Sequence, residues 1–175
     1  MKSQGKKEIG KELPGPRKLR PSDVLAIPLG EETWGYVRTL RDATFSVLDV
    51  ISEGKRFELK EVKGKKTKGY ASYCQPWDNP TWIYLGKWPF ENEEEHWPPP
   101  NYIVDILNPK IKKIYHKGQM KRAIDDSELV GLEQNEGLLF PGRLVMKIRT
   151  MHGLKAERAK IEEFAPFTSN WETKI

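Results

Sequence analysis

Short apolar runs bounded by turn residues dominate the chain from residue 23 onward. In Asp23–Leu29 (DVLAIPL), Val24 and Ala26 alternate with Leu25, Ile27 and Leu29, so both faces are apolar, as in a strand near the middle of a sheet. Gly30-Glu31-Glu32-Thr33 is a connecting loop. Trp34, Tyr36 and Arg38 then share one face, with Gly35, Val37 and Thr39 on the other, and the two strands predict a hairpin. Thr44–Ile51 (TFSVLDVI) predicts a third strand, with Asp49 the odd member of an apolar face; an edge or capped-turn position accounts for it.

Beyond it, Phe57–Val62 alternates weakly and leads into the basic loop Lys63-Gly64-Lys65-Lys66-Thr67-Lys68-Gly69. Strands are expected at Gly69–Cys74, Trp82–Leu85 and Tyr102–Ile106, with a turn over Gln75–Pro80. A hairpin is expected from Ile111–Tyr115 and Met120–Ile124 across His116-Lys117-Gly118. Asp125 caps a short helix whose first turn is acidic, which suits the helix dipole. Leu144–Ile148 reads as a last strand and Leu154–Phe164 as a C-terminal helix with Leu154, Ile161 and Phe164 as its stripe. The fold expected is mostly β (α+β at most): a single twisted antiparallel sheet or a small, partly open barrel, with one short helix and a C-terminal helix. Residues 1–20 are a flexible basic tail, 21–150 a β-rich domain, and 151–175 a C-terminal helix and tail.

Charge changes this picture at one end only. The net charge of +5 lies wholly in residues 1–20, which hold seven basic and two acidic side chains; the other 23 basic and 23 acidic residues cancel. The tail reads either as a polyanion-binding arm or as a solubilising segment. A single cysteine, Cys74, forms no internal disulfide. No signal peptide or apolar run long enough for a membrane span is seen, so a cytoplasmic setting without membrane contact is expected.

Candidate chemistry is sparse. His96, His116 and His152 all fall on turns, and Cys74 with a distant histidine does not make a nucleophilic pair. Glu93-Glu94-Glu95-His96 is contiguous, so its side chains diverge and lack metal-ligand spacing. No glycine-rich phosphate loop occurs. The chain reads as a binding protein without catalytic residues, cofactor or metal.

The densest cluster of unusual residues is Trp82–Tyr102 (WIYLGKWPFENEEEHWPPPNY), with three of the six tryptophans and four of the thirteen prolines. Pro98-Pro99-Pro100 is stiff and extended. Between the aromatic corner and the prolines lies a loop carrying Glu91, Glu93, Glu94 and Glu95, edged by Trp88 and Trp97. Those six residues are the candidate partner-binding site. The alternatives are buried tryptophans with a solvated acidic loop, or a small-barrel nucleic-acid binder using the tail and residues 63–68.

Three blocks resemble the bacterial immunity protein 26 family of polymorphic toxin systems. They are Asp23–Leu29 with Trp34-Gly35-Tyr36-Val37, Trp82–Phe90 with Pro98-Pro99-Pro100-Asn101-Tyr102, and Gly131-Leu132-Glu133. Ser22 stands where that family usually has glycine. The resemblance spans roughly residues 22 to 148, and implies a cytosolic, mostly β protein that neutralises a cognate toxin by binding it.

Overall fold

The computed structural model describes residues 19–73 and 82–155. The described chain is mostly β, with two open sheets and no closed barrel. Strands β1 (Asp23–Gly30), β2 (Thr33–Thr39), β3 (Thr44–Glu53), β4 (Thr67–Ser72) and β5 (Ile83–Lys87) form a five-stranded antiparallel sheet in the order β4-β3-β2-β1-β5. Strands β6 (Asn101–Val104), β7 (Lys112–His116), β8 (Gln119–Arg122) and β9 (Glu133–Gln134) form a second sheet in the order β8-β7-β6-β9, with β9 parallel to β6. The single sheet expected from the strand pattern is therefore two. The break falls at Pro98–Pro100, where consecutive prolines supply no N–H for continued pairing.

The first sheet is covered on both faces, which is why β1 reads as continuously apolar. One face carries Leu25, Ile27, Leu29, Val37, Phe45 and Val47 against Leu144, Val145 and Ile148. These last three belong to helix α2 (Pro141–Met151), not to the strand expected over Leu144–Ile148. Leu144, Val145, Ile148 and Met151 fall on one side of a helix, and Pro141 occupies its first turn. The run of β-branched and aliphatic residues had masked that period. A helix toward the C-terminal end is present, but it lies earlier than expected, and most of Leu154–Phe164 falls outside the described residues. Gly35 lets α2 approach: a Cβ there would lie 3.0 Å from both Ile148 Cγ2 and Leu29 Cδ1. Arg149, buried, donates from Nη1 to the Leu29 carbonyl and from Nε to the Lys155 carbonyl at 2.7 Å.

The other face packs Val24, Ala26, Tyr36, Leu48 and Val62, with Trp34, Phe57, Leu59 and Trp88 around them. The weakly alternating Phe57–Val62 is not a strand; helix α1 (Leu59–Val62) is a single turn set by a Glu58–Glu61 capping box. Buried Tyr36 Oη sits 2.5 Å from Ser52 Oγ and accepts from Phe57 N at 2.6 Å, tying this cover to β2 and β3. Asp49 is not at a sheet edge: β3 lies between β4 and β2, and Asp49 falls where the β2–β3 register shifts between Val47 and Ile51, exposed and paired with Lys68 of β4 at 2.7 Å.

The second sheet is thinner. None of its strand residues is buried. The short helix expected at Asp125 is a single 3-10 turn, Asp126–Leu129, capped by the Asp125 carboxylate accepting from Ser127 N. The tail up to residue 18, Cys74, the turn at Gln75–Pro80 and residues 156–175 lie outside the described residues.

Candidate partner-binding ridge

Residues 88–97 leave β5, cross the end of β2 and hand the chain to the triple proline. The crossing is fixed from the sheet. Trp88 N donates to the Ser22 carbonyl at 2.9 Å. Arg38, on the Trp34–Tyr36 face of β2, donates from Nε to the Trp88 carbonyl at 3.0 Å and from Nη2 to the Pro89 carbonyl at 2.8 Å. Its guanidinium carbon lies 4.3 Å from the Trp88 ring centre and 3.7 Å from that of Phe90, so one cation stacks on both rings. Burial pulls the Arg38 pKa down, while Glu95 and Glu91 nearby act to raise it.

Arg41 repeats the arrangement at the far end. It donates its backbone N–H to the His96 carbonyl at 2.8 Å, stacks its guanidinium 4.8 Å from the Trp97 ring centre, and pairs with Glu93 at 2.9 Å. His96 in turn lies against Phe90, with ring centres 4.4 Å apart. Residues Glu94–His96 form one 3-10 turn. Within it Glu95 accepts from Asn92 Nδ2 at 2.9 Å, and Glu95 N donates to Asn92 Oδ1 at 3.1 Å. Lys117, from the β7–β8 turn, donates to both oxygens of Glu94 at 2.6 and 2.5 Å, joining the second sheet to the ridge. That hydrogen bond and charge hold the Glu94 carboxyl below the usual range.

The structure thus brings all six candidate residues together. Glu91, Glu93, Glu94 and Glu95 are exposed, and Trp88 and Trp97 are half-buried beneath them. Trp82 parts company with them: only 1% exposed, it packs edge-on to Phe45, which stacks on Tyr73 at 3.9 Å between ring centres. The ridge is not a bare acidic prong. Glu93 and Glu94 are ion-paired, yet their side chains remain 64% and 75% exposed, so both stay accessible. An open groove of about 500 Å³ runs between ridge and sheet, with Arg38, Ser46, Thr67 and Tyr70 as floor and Phe90, Trp97 and Glu95 along its wall.

Arg38, Arg41 and Lys117 are the residues that sequence reasoning missed. Arg38 carried a signal: it is the one charge on a strand face otherwise made of Trp34 and Tyr36. Arg41 and Lys117 carried none, because each reaches the ridge from a turn in a different part of the chain.

The basic loop at 63–68 presents Lys63, Lys65 and Lys66 to solvent, while Lys68 is engaged by Asp49. Among the described residues no three His, Cys, Asp or Glu side chains gather as a metal site would. No helix among them is long and apolar enough to cross a membrane. The chain matches no protein-family model, no curated protein and no solved structure.

Proposed function

We propose that this is a non-catalytic binding protein that neutralises a cognate bacterial toxin by direct contact through the Trp88–Trp97 ridge. The observation that carries the reading is preorganisation. Four exposed carboxylates stand on ten residues whose backbone is held by Arg38 of β2 and by Arg41 of the β2–β3 turn, while Lys117 of the β7–β8 turn holds the Glu94 carboxylate. A surface already ordered loses little conformational entropy on binding. Fixed carboxylates over half-buried aromatic rings suit a basic cleft, as in a nuclease toxin, with charge accelerating encounter and the rings supplying contact area. The resemblance of Trp82–Phe90 with Pro98–Tyr102, and of the two other blocks, to the immunity protein 26 family supports the same class; the acidic loop lies between the resembling stretches.

The reading expects a toxin open reading frame beside this gene, and co-expression with its product is the test. The wild-type chain restores growth, and the variant carrying Glu91→Gln, Glu93→Gln, Glu94→Gln and Glu95→Gln fails to do so while keeping the wild-type circular dichroism spectrum. Full protection by that folded variant would remove the ridge from the interface.

A further inference from the structure

Residues 99–138, which carry the whole second sheet, are built differently from the rest of the fold. Across that stretch Leu129 alone is buried, whereas β1, β2 and β3 are buried along most of their length. The nearest buried residues on either side are Pro98 and Leu139. Leu139 N donates to the Ser72 carbonyl at 3.1 Å, which ties the exit to β4. Pro98 and Gly137 line the same two cavities, so the chain enters and leaves this unit side by side.

The unit stands on the first sheet by one end of its strands. The base is loosely filled. Open cavities of about 160 and 230 Å³ are both lined by Thr44 and Ser72 from the first sheet and by Asn101 and Asn135 from the second. A packed interface would fill such space with apolar side chains. Polar contacts bridge it instead. On the β7–β8 side, Lys117 donates to Glu94 at 2.5 Å. Burial raises the Tyr115 pKa, and the Asp42 carboxylate of the β2–β3 turn raises it further. On the exit side, Glu136 pairs with Lys147 at 3.4 Å. Residues 106–110, at the other end of the strands, are all exposed.

We infer that residues 99–138 open as one unit while the first sheet stays folded, and that Lys117–Glu94 is the latch on the β7–β8 side of its base. Opening exposes little apolar surface that water does not already reach, and segments with few buried contacts open at a lower free energy than the core. The named strands of the second sheet pair with one another and with none of the first, so losing one removes the partner of the next and the opening is cooperative. An exposed ion pair contributes little stability, which suits a latch that must release. Glu94 also belongs to the proposed interface. A partner cation that takes Glu94 leaves Lys117 without its carboxylate and promotes opening. That coupling, unlike the unit itself, rests on the toxin-binding reading.

Hydrogen exchange on the full chain, followed by mass spectrometry, tests the unit without any partner. Amides of β6 and β7 are expected to exchange at one common rate, at least about a hundredfold faster than those of β1–β3. Glu94→Lys sets two cations against each other and is expected to speed exchange in residues 99–138 roughly twofold to tenfold, with β1–β3 unchanged. Adding Lys117→Glu reverses the pair and is expected to restore the wild-type rate. Exchange in the second sheet as slow as in the first overturns the unit. No acceleration by Glu94→Lys, equal acceleration of both sheets, or a charge-reversed variant as fast as Glu94→Lys overturns the latch. An oligoarginine peptide, the probe for a basic cleft, is expected to speed second-sheet exchange in the wild type and not in Glu94→Lys. An unchanged wild type overturns the coupling and leaves the unit standing.

Discussion

Arg38 and Phe90 lie fifty-two positions apart and meet face to face, the guanidinium carbon 3.7 Å from the ring centre. The same guanidinium donates to two successive carbonyls and stacks on Trp88 as well. Together with the hydrogen bond from Trp88 N to the Ser22 carbonyl, this side chain sets the shape of the strand-to-ridge corner. Arg38→Lys keeps the charge but loses the planar fork and the stacking. We expect it to lower unfolding free energy by about 1–3 kcal/mol, in keeping with two hydrogen bonds and a cation–π contact. Urea denaturation reads the stability, and limited proteolysis reads new cleavage within residues 88–97. Unchanged proteolysis would mean that Arg38 does not hold the ridge.

Helix α2 rests on β2 through Gly35. Leu29 and Ile148 are fully buried, so neither has room to retreat from a new methyl group. Gly35→Ala is expected to cost about 1–3 kcal/mol by overpacking. Ile148→Ala is expected to cost about 2–5 kcal/mol through the cavity it leaves. The double variant should lose less than the sum, because the cavity accommodates the methyl group. Strict additivity in urea denaturation would place α2 away from Gly35.

Ser22 adopts a φ of 77°, in the left-handed region that favours glycine. It also links two elements: its N–H donates to the Thr39 carbonyl, and its carbonyl accepts from Trp88 N, both at 2.9 Å. Ser22→Gly is expected to be neutral or to stabilise by up to about 1 kcal/mol, since relief of left-handed strain outweighs the added chain entropy. Ser22→Val is expected to destabilise. Thermal unfolding of the pair checks the order, and a glycine variant less stable than the valine one would contradict it.

His152 closes α2 over the β3–β4 edge. Burial pushes its pKa below the usual value and the Lys68 ammonium pushes the same way, against the Asp49 carboxylate and the Leu48 carbonyl. A histidine with a depressed folded pKa favours the folded state when neutral. Its contribution is complete above the unfolded value of about 6.5 and is lost as pH falls through the folded value. Stability should therefore decline from pH 8 to pH 5, and His152→Gln should flatten that decline. An identical pH dependence in the variant would show that His152 is not the group responsible.

The sequence carried the first sheet well, because β1, β2 and β3 combine apolar patterning with clear turn residues at Gly30–Glu32 and after Leu40. The second sheet's hairpin was legible from His116-Lys117-Gly118 for the same reason. Leu144–Ile148 misled because a short run of Leu, Val, Met and Ile fits a buried strand and a buried helix equally, and only the packing of Ile148 against Gly35 separates them. The six ridge residues were legible as a cluster from their composition. What held them was not, since Arg38, Arg41 and Lys117 act over long sequence separations that no local pattern records.

The most direct measurement of the proposed toxin-binding role is the association rate of the chain with a candidate toxin encoded beside it, followed against salt. The account predicts fast association that slows as salt rises, and a variant with glutamine at 91, 93, 94 and 95 that associates at least about tenfold more slowly at low salt. Equal rates for the folded variant and the wild type across the salt range would contradict it.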